Sequence, residues 1–256
     1  MIKGAWEDDW FDHARPARRK LWRGVEAQHR VATMRLVDST AEQALLEQLL
    51  EASKPPLPPE THGLHYLIST PFRYSSPWPS RYRPAHEPGI WYGADEAETV
   101  AAELAYWRWK FLVESDGLRD AQLVTEHTFF QAQFKGVELD LTAPPWVKLR
   151  DELRHGDDYS ACHRLMRGVR ERATPAIASL RYESARREGG LCEAVLAPGA
   201  LSLPALHLQQ TWVCKTTRDL VMFRHDDDAL EYRMSGADRL PAGAASASTM
   251  RPCTTG

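Results

Sequence analysis

Residues 71–103 read PFRYSSPWPSRYRPAHEPGIWYGADEAETVAAE, a stretch that combines arginines, aromatic residues and prolines with the start of a helix. From Asp95 the chain continues as DEAETVAAELAYWRWKFLVE, and Asp95 with Glu98 predicts a capping box at the N-terminus of that helix. Apolar residues recur at spacings of four, three and four, which predicts one buried helix face made of Val100, Leu104, Trp107 and Phe111.

One glutamate falls on or beside that apolar face. Glu103 lies three residues after Val100 and four before Trp107, so we expect its carboxylate along the same face or at its edge. Moving a carboxylate out of water costs several kcal/mol unless it is paired. Glu103 is therefore predicted either to pair with a nearby arginine or to serve in chemistry.

The bulk composition is that of an ordinary soluble globular protein. With 256 residues, 43% of them apolar, the chain can bury a substantial core as one large domain or two small ones. The net charge is −3, and residues of both signs are mixed along the chain. The sequence therefore lacks the basic stripe expected of a direct nucleic-acid binder. No long apolar run and no signal-peptide pattern occurs, so we expect no membrane span and a cytoplasmic location.

Cysteines and histidines do not form a recognisable metal pattern. The four cysteines, at positions 162, 192, 214 and 253, are scattered, which argues against a zinc cage or a disulfide framework and favours small buried side chains. The run HGDDYSACH at 155–163 gathers histidines, aspartates and a cysteine, but its spacing fits no standard site. We therefore expect no metal.

The first half of the chain is predicted to hold helices and short strands. Ser39 and Glu42 predict a second capping box, for a helix through AEQALLEQLLEAS with leucines on one side, ended by KPPLPPE. HYLIST at 65–70 is typical of a short buried strand. GIWYGA at 89–94 is a second strand candidate.

The second half is richer in strands. QLVTEHTFFQAQF and VELDL are predicted as two strands joined by a turn at Lys135-Gly136, and DYSACHRLMRGVRERA is predicted as a helix. Four further strands are predicted in LCEAVLA, TWVCKT, DLVMFR and LEYRM. The prediction is one α+β domain over 15–234, with a lead at 1–14 and a disordered, small-residue tail at 235–256.

Arginines, tyrosines and one serine are the remaining candidates for a site. Arg73 and Arg81 flank the proline-rich loop, and guanidinium groups suit phosphate, although each could equally be a surface residue or the partner of Glu103. Tyr74 and Tyr92 could stack on a planar ring or simply fill core. Ser184 lies among arginines before a double glycine, in a turn that could meet an anion or remain solvated. Together these residues indicate a nucleotide pocket, and a dinucleotide pocket in particular.

Four motifs carry a family resemblance over about residues 20–225. They are LWRGVEAQH at 21–29, STPFRYSSPWPSRYRP at 69–84, EPGIWYGADEAETVAAELAYWR at 87–108 and RYESARREGG at 181–190. With these motifs the chain resembles the RES domain family, named for its arginine, glutamate and serine. The most specific element is the equal spacing of Arg81, Tyr92 and Glu103, eleven residues apart.

The resemblance implies an NAD-degrading toxin of a bacterial toxin–antitoxin pair, with a fold similar to ADP-ribosyltransferases: an α+β domain with a sheet core and flanking helices. It implies that Arg81, Glu103 and Ser184 are the catalytic residues. Substrate binding is implied for a second set of residues, namely Tyr92, the Arg73-Tyr74 pair and Arg23, which competes with Arg73 for one role. Where the family usually has proline before the serine, this chain has Glu183.

The implied activity is an NAD glycohydrolase or an NAD phosphorylase, with NAD as substrate rather than cofactor. In this hypothesis Arg81 and Arg73 hold the diphosphate, Tyr92 borders the nicotinamide, Ser184 bonds the ligand, and Glu103 stabilises the ribose cation.

Two other functions stay open beside this one. They are a mono-ADP-ribosyltransferase that modifies a protein and a catalytically inactive binding module. The implied partner is a helix-turn-helix antitoxin, and the oligomeric state, including a homo-oligomer, is open.

Overall fold

The computed structural model describes residues 6–27, 31–34, 36–172 and 176–234, and its strands form one continuous sheet. The strands are β1 (Arg15–Glu26), β2 (Trp91–Ala94), β3 (Leu123–Asp140), β4 (Ser179–Glu183), β5 (Leu191–Val195), β6 (Leu201–Ser202), β7 (Gln209–Thr216), β8 (Leu220–His225) and β9 (Asp228–Arg233). The helices are α1 (Val31–Met34), α2 (Thr40–Ser53), α3 (Tyr66–Arg73), α4 (Ala97–Glu114), α5 (Arg150–Leu153) and α6 (Ser160–Glu171).

Five of the strands close into a ring. β1 pairs antiparallel with β3 over its whole length, and the order then runs through β4, β5 and β2 back to β1, where Trp22 faces Ala94. The other edge of β3 also pairs with β6 and β7, and β8 and β9 extend the sheet beyond β7. The predicted α+β class, a sheet core with flanking helices, is confirmed.

β3 is one strand of 18 residues, so the predicted turn at Lys135-Gly136 is wrong. Both residues are paired within the ladder, opposite Arg18 and Ala17 of β1. β1 satisfies the backbone groups along this stretch, and a partner so distant in sequence leaves no local signal. Gly136 is needed for close packing instead, because a Cβ there would lie 2.8 Å from the Cβ of Ala178.

Helix α4 is confirmed, but its start and its buried face differ from the prediction. Asp95 does not cap the helix, because its carboxylate accepts hydrogen bonds from Arg181. Trp107 and Phe111 are each 41% exposed, and the helix instead buries a face rich in alanine: Ala101, Ala102, Ala105, Trp109 and Leu112. Small side chains let a helix approach a sheet closely, which the spacing of large residues does not show.

Residues 66–73 form helix α3, so the predicted strand at 65–70 is wrong. The ring nitrogen Nδ1 of His65 accepts a hydrogen bond from the backbone N–H of Leu67 at 3.2 Å and begins the helix. Pro71 cannot donate to the carbonyl of Leu67, and the indole of Trp91 donates to that carbonyl at 3.4 Å. A short apolar run suits a strand or a helix equally, and contact with Trp91 decides between them here.

The other predicted helices and strands are confirmed: β2, β5, β7, β8 and β9, and helices α2 and α6. The Ser39 hydroxyl accepts from the backbone N–H of Glu42 at 3.2 Å, as the capping box predicted. Three leucines of α2 are exposed, namely Leu45, Leu49 and Leu50, and no side chain of α2 is buried.

The structure describes only some of the positions for which the cysteine and chain-end predictions were made. Three cysteines are free and buried as predicted, namely Cys162, Cys192 and Cys214. Cys253 and the predicted tail at 235–256 lie outside the described residues. Within residues 1–14, a 3-10 turn at Asp8–His13 packs the Phe11 ring edge-on against Trp146, with centroids 5.1 Å apart.

Two apolar clusters lie on opposite faces of the sheet. The larger one packs α4 and α6 against the face that carries Tyr92, Cys192 and Tyr182. The smaller one packs α3 against the face that carries Trp91 and Val195. Neighbouring residues of a strand alternate between faces, so Tyr92 and Trp91 belong to different clusters. No helix among the described residues combines the length and apolar character needed to cross a bilayer.

Candidate active site

Glu103 and Ser184 meet across the larger cluster. The Ser184 hydroxyl donates to Glu103 Oε1 at 2.6 Å, although the two residues lie 81 positions apart. The Ser184 hydroxyl oxygen also accepts hydrogen bonds from the backbone N–H groups of Arg186 at 3.0 Å and Arg187 at 3.1 Å. Ser184 is fully buried, and these three bonds use its hydrogen-bonding capacity. One oxygen of the half-buried Glu103 carboxylate is therefore held in place.

The turn that follows β4 presents Ser184, and its glycines have separate tasks. Gly189 adopts a φ of +70°, a left-handed conformation that favours glycine. A Cβ at Gly190 would lie 2.9 Å from the side chain of Thr99, so this position lets the turn approach the first turn of α4. The Arg187 side chain donates to Thr99 Oγ1 at 2.9 Å and also bonds Glu96. The turn and the helix that carries Glu103 are thus held together.

Tyr92 lies on the same face with its hydroxyl fixed. The hydroxyl is 2.8 Å from Ser80 Oγ and accepts from the backbone N–H of Tyr82 at 3.2 Å. Burial raises the pKa of Tyr92 to about 12, so the phenol is neutral at neutral pH. The ring of His163 contacts the carbonyl of Ser80 at 2.8 Å, which further holds this end of the proline-rich loop.

Arg81 is buried beneath the segment 153–159, which connects α5 to α6. Its Nη1 donates to the carbonyls of Leu153 at 3.0 Å and His155 at 2.9 Å, and its guanidinium lies 5.0 Å from the centre of the Tyr159 ring. Burial works against the charge of Arg81, but its electrostatic interactions with Tyr182, Tyr82 and Glu103 raise its pKa above the ordinary value. Arg81 therefore stays cationic in this cluster.

A second arginine also binds this segment. Arg186 Nη2 donates to the carbonyl of Gly156 at 2.6 Å, and its guanidinium stacks 3.3 Å from the centre of the Tyr106 ring. The Tyr106 hydroxyl donates to Asp157, and this bond, followed by the nearby Arg186, keeps the pKa of Asp157 below its usual value. Sequence reasoning missed these residues. Tyr106 lies three positions after Glu103 on one helix face, and that spacing could have pointed to it.

Arg73 and Tyr74 lie at the end of α3 and do not join this cluster. Arg73 Nη1 donates to Glu51 of α2 at 2.8 Å, and its Nε donates to the carbonyl of Pro55. Tyr74 is half-buried at the C-terminal cap of α3.

Arg23 touches the site only through the backbone. It donates to the carbonyl of Tyr92 at 2.7 Å, while its guanidinium lies 5.3 Å from the centre of the Trp91 ring, on the face opposite to the Tyr92 ring. Burial lowers the pKa of Arg23 to about 10.

The histidines of the run at 155–163 serve local structure. His155 Nδ1 accepts from the backbone N–H of Asp158 at 2.9 Å, and His163 contacts Ser80 as described above. Across residues 6–27, 31–34, 36–172 and 176–234, no group of three or more histidine, cysteine or acidic side chains is arranged to hold a metal ion.

The family profile of the RES domain matches residues 57–217, which is more than half of the chain and includes Arg81, Tyr92, Glu103 and Ser184. The chain belongs to the RES domain family.

A similar solved structure is the M. tuberculosis MbcT–MbcA toxin–antitoxin complex. It is 15% identical over 82% of this chain and 92% of that chain, with a TM-score of 0.44. Among curated protein sequences, none matches this chain.

Proposed function

We propose that this protein is an enzyme that cleaves the bond between nicotinamide and ribose in NAD, with water or inorganic phosphate as acceptor. The observation that carries the proposal is the 2.6 Å hydrogen bond from Ser184 to Glu103, because it orients a half-buried carboxylate that is close enough to Arg81 to act on the charge of its guanidinium. Membership of the RES family supports NAD as the substrate.

The proposed reaction needs little help from a general acid. The ribose C1′–nitrogen bond breaks with its electron pair going to the nicotinamide, which is cationic in NAD and leaves neutral. Positive charge then develops on the ribose as an oxocarbenium ion, and a carboxylate in a water-poor site stabilises that charge. In the proposal Glu103 has this role. The acceptor oxygen forms the new bond to C1′ and releases its proton to Glu103 or to solvent.

The remaining residues bind and position. Arg81, as a buried cation, would bind the diphosphate, and the neutral Tyr92 phenol, held by Ser80 and Tyr82, would border the nicotinamide ring. In the hypothesis drawn from the sequence, Ser184 bonds the ligand directly. Because its hydroxyl already serves Glu103 and two backbone N–H groups, we propose that Ser184 positions Glu103 instead.

The test is incubation of the purified full chain with NAD, with and without phosphate, and identification of the products by mass. Release of nicotinamide with ADP-ribose is expected without phosphate, and a phosphorylated ADP-ribose would identify phosphate as the acceptor. Absence of nicotinamide release would refute the proposal. Labelled ADP-ribose retained on an added protein would instead favour the transferase.

We further propose that the protein is the toxin of a toxin–antitoxin pair, since an enzyme that drains NAD would harm its own cell. The partner would be a helix-turn-helix antitoxin, and any contact with DNA would then come through that partner. Cells expressing the chain should lose NAD and stop growing, and co-expression of the neighbouring gene product should restore both. Glu103→Gln is the matched control, and equal growth of cells with wild-type chain, with or without the partner, would refute the toxin role.

A further inference from the structure

We infer that Arg186 is a second anion-binding residue of this site and that it binds the substrate's diphosphate together with Arg81. In this inference, the backbone carbonyls of the segment 153–159 now occupy the positions that phosphate oxygens would take. The inference rests on the proposed function, because it assigns a subsite for the same dinucleotide.

Two guanidinium groups converge on one short segment. Arg81 donates to the carbonyls of Leu153 and His155, and Arg186 donates to the carbonyl of Gly156. Three acceptor oxygens therefore come from four consecutive residues, and all three are bound by cations. A guanidinium group binds a phosphate oxygen more strongly than a neutral carbonyl, because the phosphate adds an attraction between opposite charges and can accept two parallel hydrogen bonds.

Arg186 is held ready for a ligand. Its side chain stacks on Tyr106 at 3.3 Å from the ring centre, and its backbone N–H bonds the Ser184 oxygen at 3.0 Å. Both contacts lead to Glu103, since Tyr106 follows it by three residues on α4 and Ser184 bonds its carboxylate. Little side-chain entropy remains to be lost when such a stacked arginine binds an anion.

The anion that now faces Arg186 can be displaced. Asp157 lies 3.7 Å from the guanidinium, and its side chain is 64% exposed, so water weakens this ion pair. Other arginines near the turn are committed more firmly to carboxylates: Arg150 to Glu183 at 2.6 Å and Arg154 to Glu188 at 2.7 Å. Of these three arginines, Arg186 is the one whose acidic partner is the most distant, and it also bonds the segment that Arg81 holds.

The direct test measures ADP-ribose binding to the full chain by calorimetry, because this probe keeps the diphosphate and needs no turnover. Arg186→Gln should weaken binding about tenfold to a hundredfold, as expected for the loss of charge-assisted hydrogen bonds. Arg164→Gln on α6 is the matched control, since Arg164 is 3.9 Å from Glu152 at an exposed position. It should change the affinity by less than about twofold.

Asp157→Asn provides an independent prediction of opposite sign, useful if Arg186→Gln folds poorly. Removing the competing carboxylate should tighten ADP-ribose binding about twofold to fivefold, and the same change should lower KM for NAD while kcat stays nearly constant. If Asp157→Asn weakens binding, or if Arg186→Gln binds like Arg164→Gln, the inference is overturned.

NAD turnover by the same preparations separates this inference from the proposed function. A wild-type chain that binds ADP-ribose through Arg186 but leaves NAD intact would refute the enzyme and keep the subsite. NAD consumption that is indifferent to Arg186→Gln and Asp157→Asn, in kcat and in KM, would refute the subsite and keep the enzyme.

Discussion

Two carboxylates lie on opposite faces of the same sheet, and their surroundings differ completely. Glu103 faces the α4 side, where Ser184 bonds one of its oxygens at 2.6 Å. Glu193 of β5 lies between Cys192 and Ala194, which face α4, so its own side chain lies on the other face. Glu193 is fully buried, and neither of its oxygens has a hydrogen-bond partner in the described part of the chain.

The arginines near Glu193 are bound mainly to other carboxylates. Near Glu193, Arg19 binds Glu138 at 2.7 Å, and Arg181 is engaged by Asp95 while standing 3.6 Å from Glu193. The two cations are thus matched by two other carboxylates, and burial raises the pKa of Glu193 to about 8. Among the described residues, Glu193 is thus buried without an oriented hydrogen-bond donor, whereas the half-buried Glu103 receives one from Ser184, which in the proposed function prepares it for electrostatic catalysis.

The largest expected effect is on the catalytic side of this comparison. Glu103→Gln removes the charge that would stabilise the oxocarbenium ion and should lower NAD turnover by about a thousandfold. The thermal midpoint should shift little, because a glutamine amide oxygen can still accept from Ser184. Turnover is measured by nicotinamide release, and Glu193→Gln is the matched control. If Glu103→Gln keeps NAD turnover within tenfold of wild type, the proposed difference in role between Glu103 and Glu193 is contradicted.

The next effect concerns stability. The folded state holds a proton on Glu193 with a pKa of about 8, against an ordinary value of 4.5, so wild-type stability should fall as pH rises from about 4.5 to 8. Glu193→Gln should abolish that slope and add about 3 kcal/mol at pH 8, allowing for relaxation below the full linkage value. Denaturant unfolding at pH 5 and pH 8 checks this, and a parallel pH dependence of both proteins would contradict it.

Ser184→Ala should have a smaller effect on activity than Glu103→Gln. It frees Glu103 and leaves two backbone N–H groups without their acceptor, so turnover should fall about tenfold to a hundredfold and stability by about 1–3 kcal/mol. Because Ser184 would act through Glu103, the double variant should be little slower than Glu103→Gln alone. Multiplicative losses in the double variant would instead indicate that Ser184 touches the substrate.

Tyr92→Phe should have the smallest effect. The ring stays in place, while the Ser80 hydroxyl and the Tyr82 N–H lose a partner, so we expect about a threefold to tenfold loss in kcat/KM for NAD. Tyr66→Phe, at an exposed tyrosine of α3, is the control and should leave kcat/KM unchanged. A loss as large as that of Glu103→Gln would mean that the phenol takes part in the chemistry.

Several parts of the fold could be predicted because their signals are local. Strand β2 is a short apolar run bounded by turn signals, and helices α2 and α6 have leading caps or regular apolar spacing. α3 and the single strand β3 could not be predicted in this way. Their conformations depend on Trp91 and on β1, partners that lie outside any local window.

In the candidate site, too, some features follow from local sequence and others only from the tertiary structure. The sequence by itself determined the equal spacing of Arg81, Tyr92 and Glu103 and the helix that carries the glutamate, since both follow from positions along the chain. Only the tertiary structure decided that Ser184 serves Glu103, that Arg73 turns to Glu51, and that Arg186 joins Arg81 at one segment. Strand order brings together residues that are far apart in sequence. Each charged side chain then pairs with the partners that the fold places within hydrogen-bond distance.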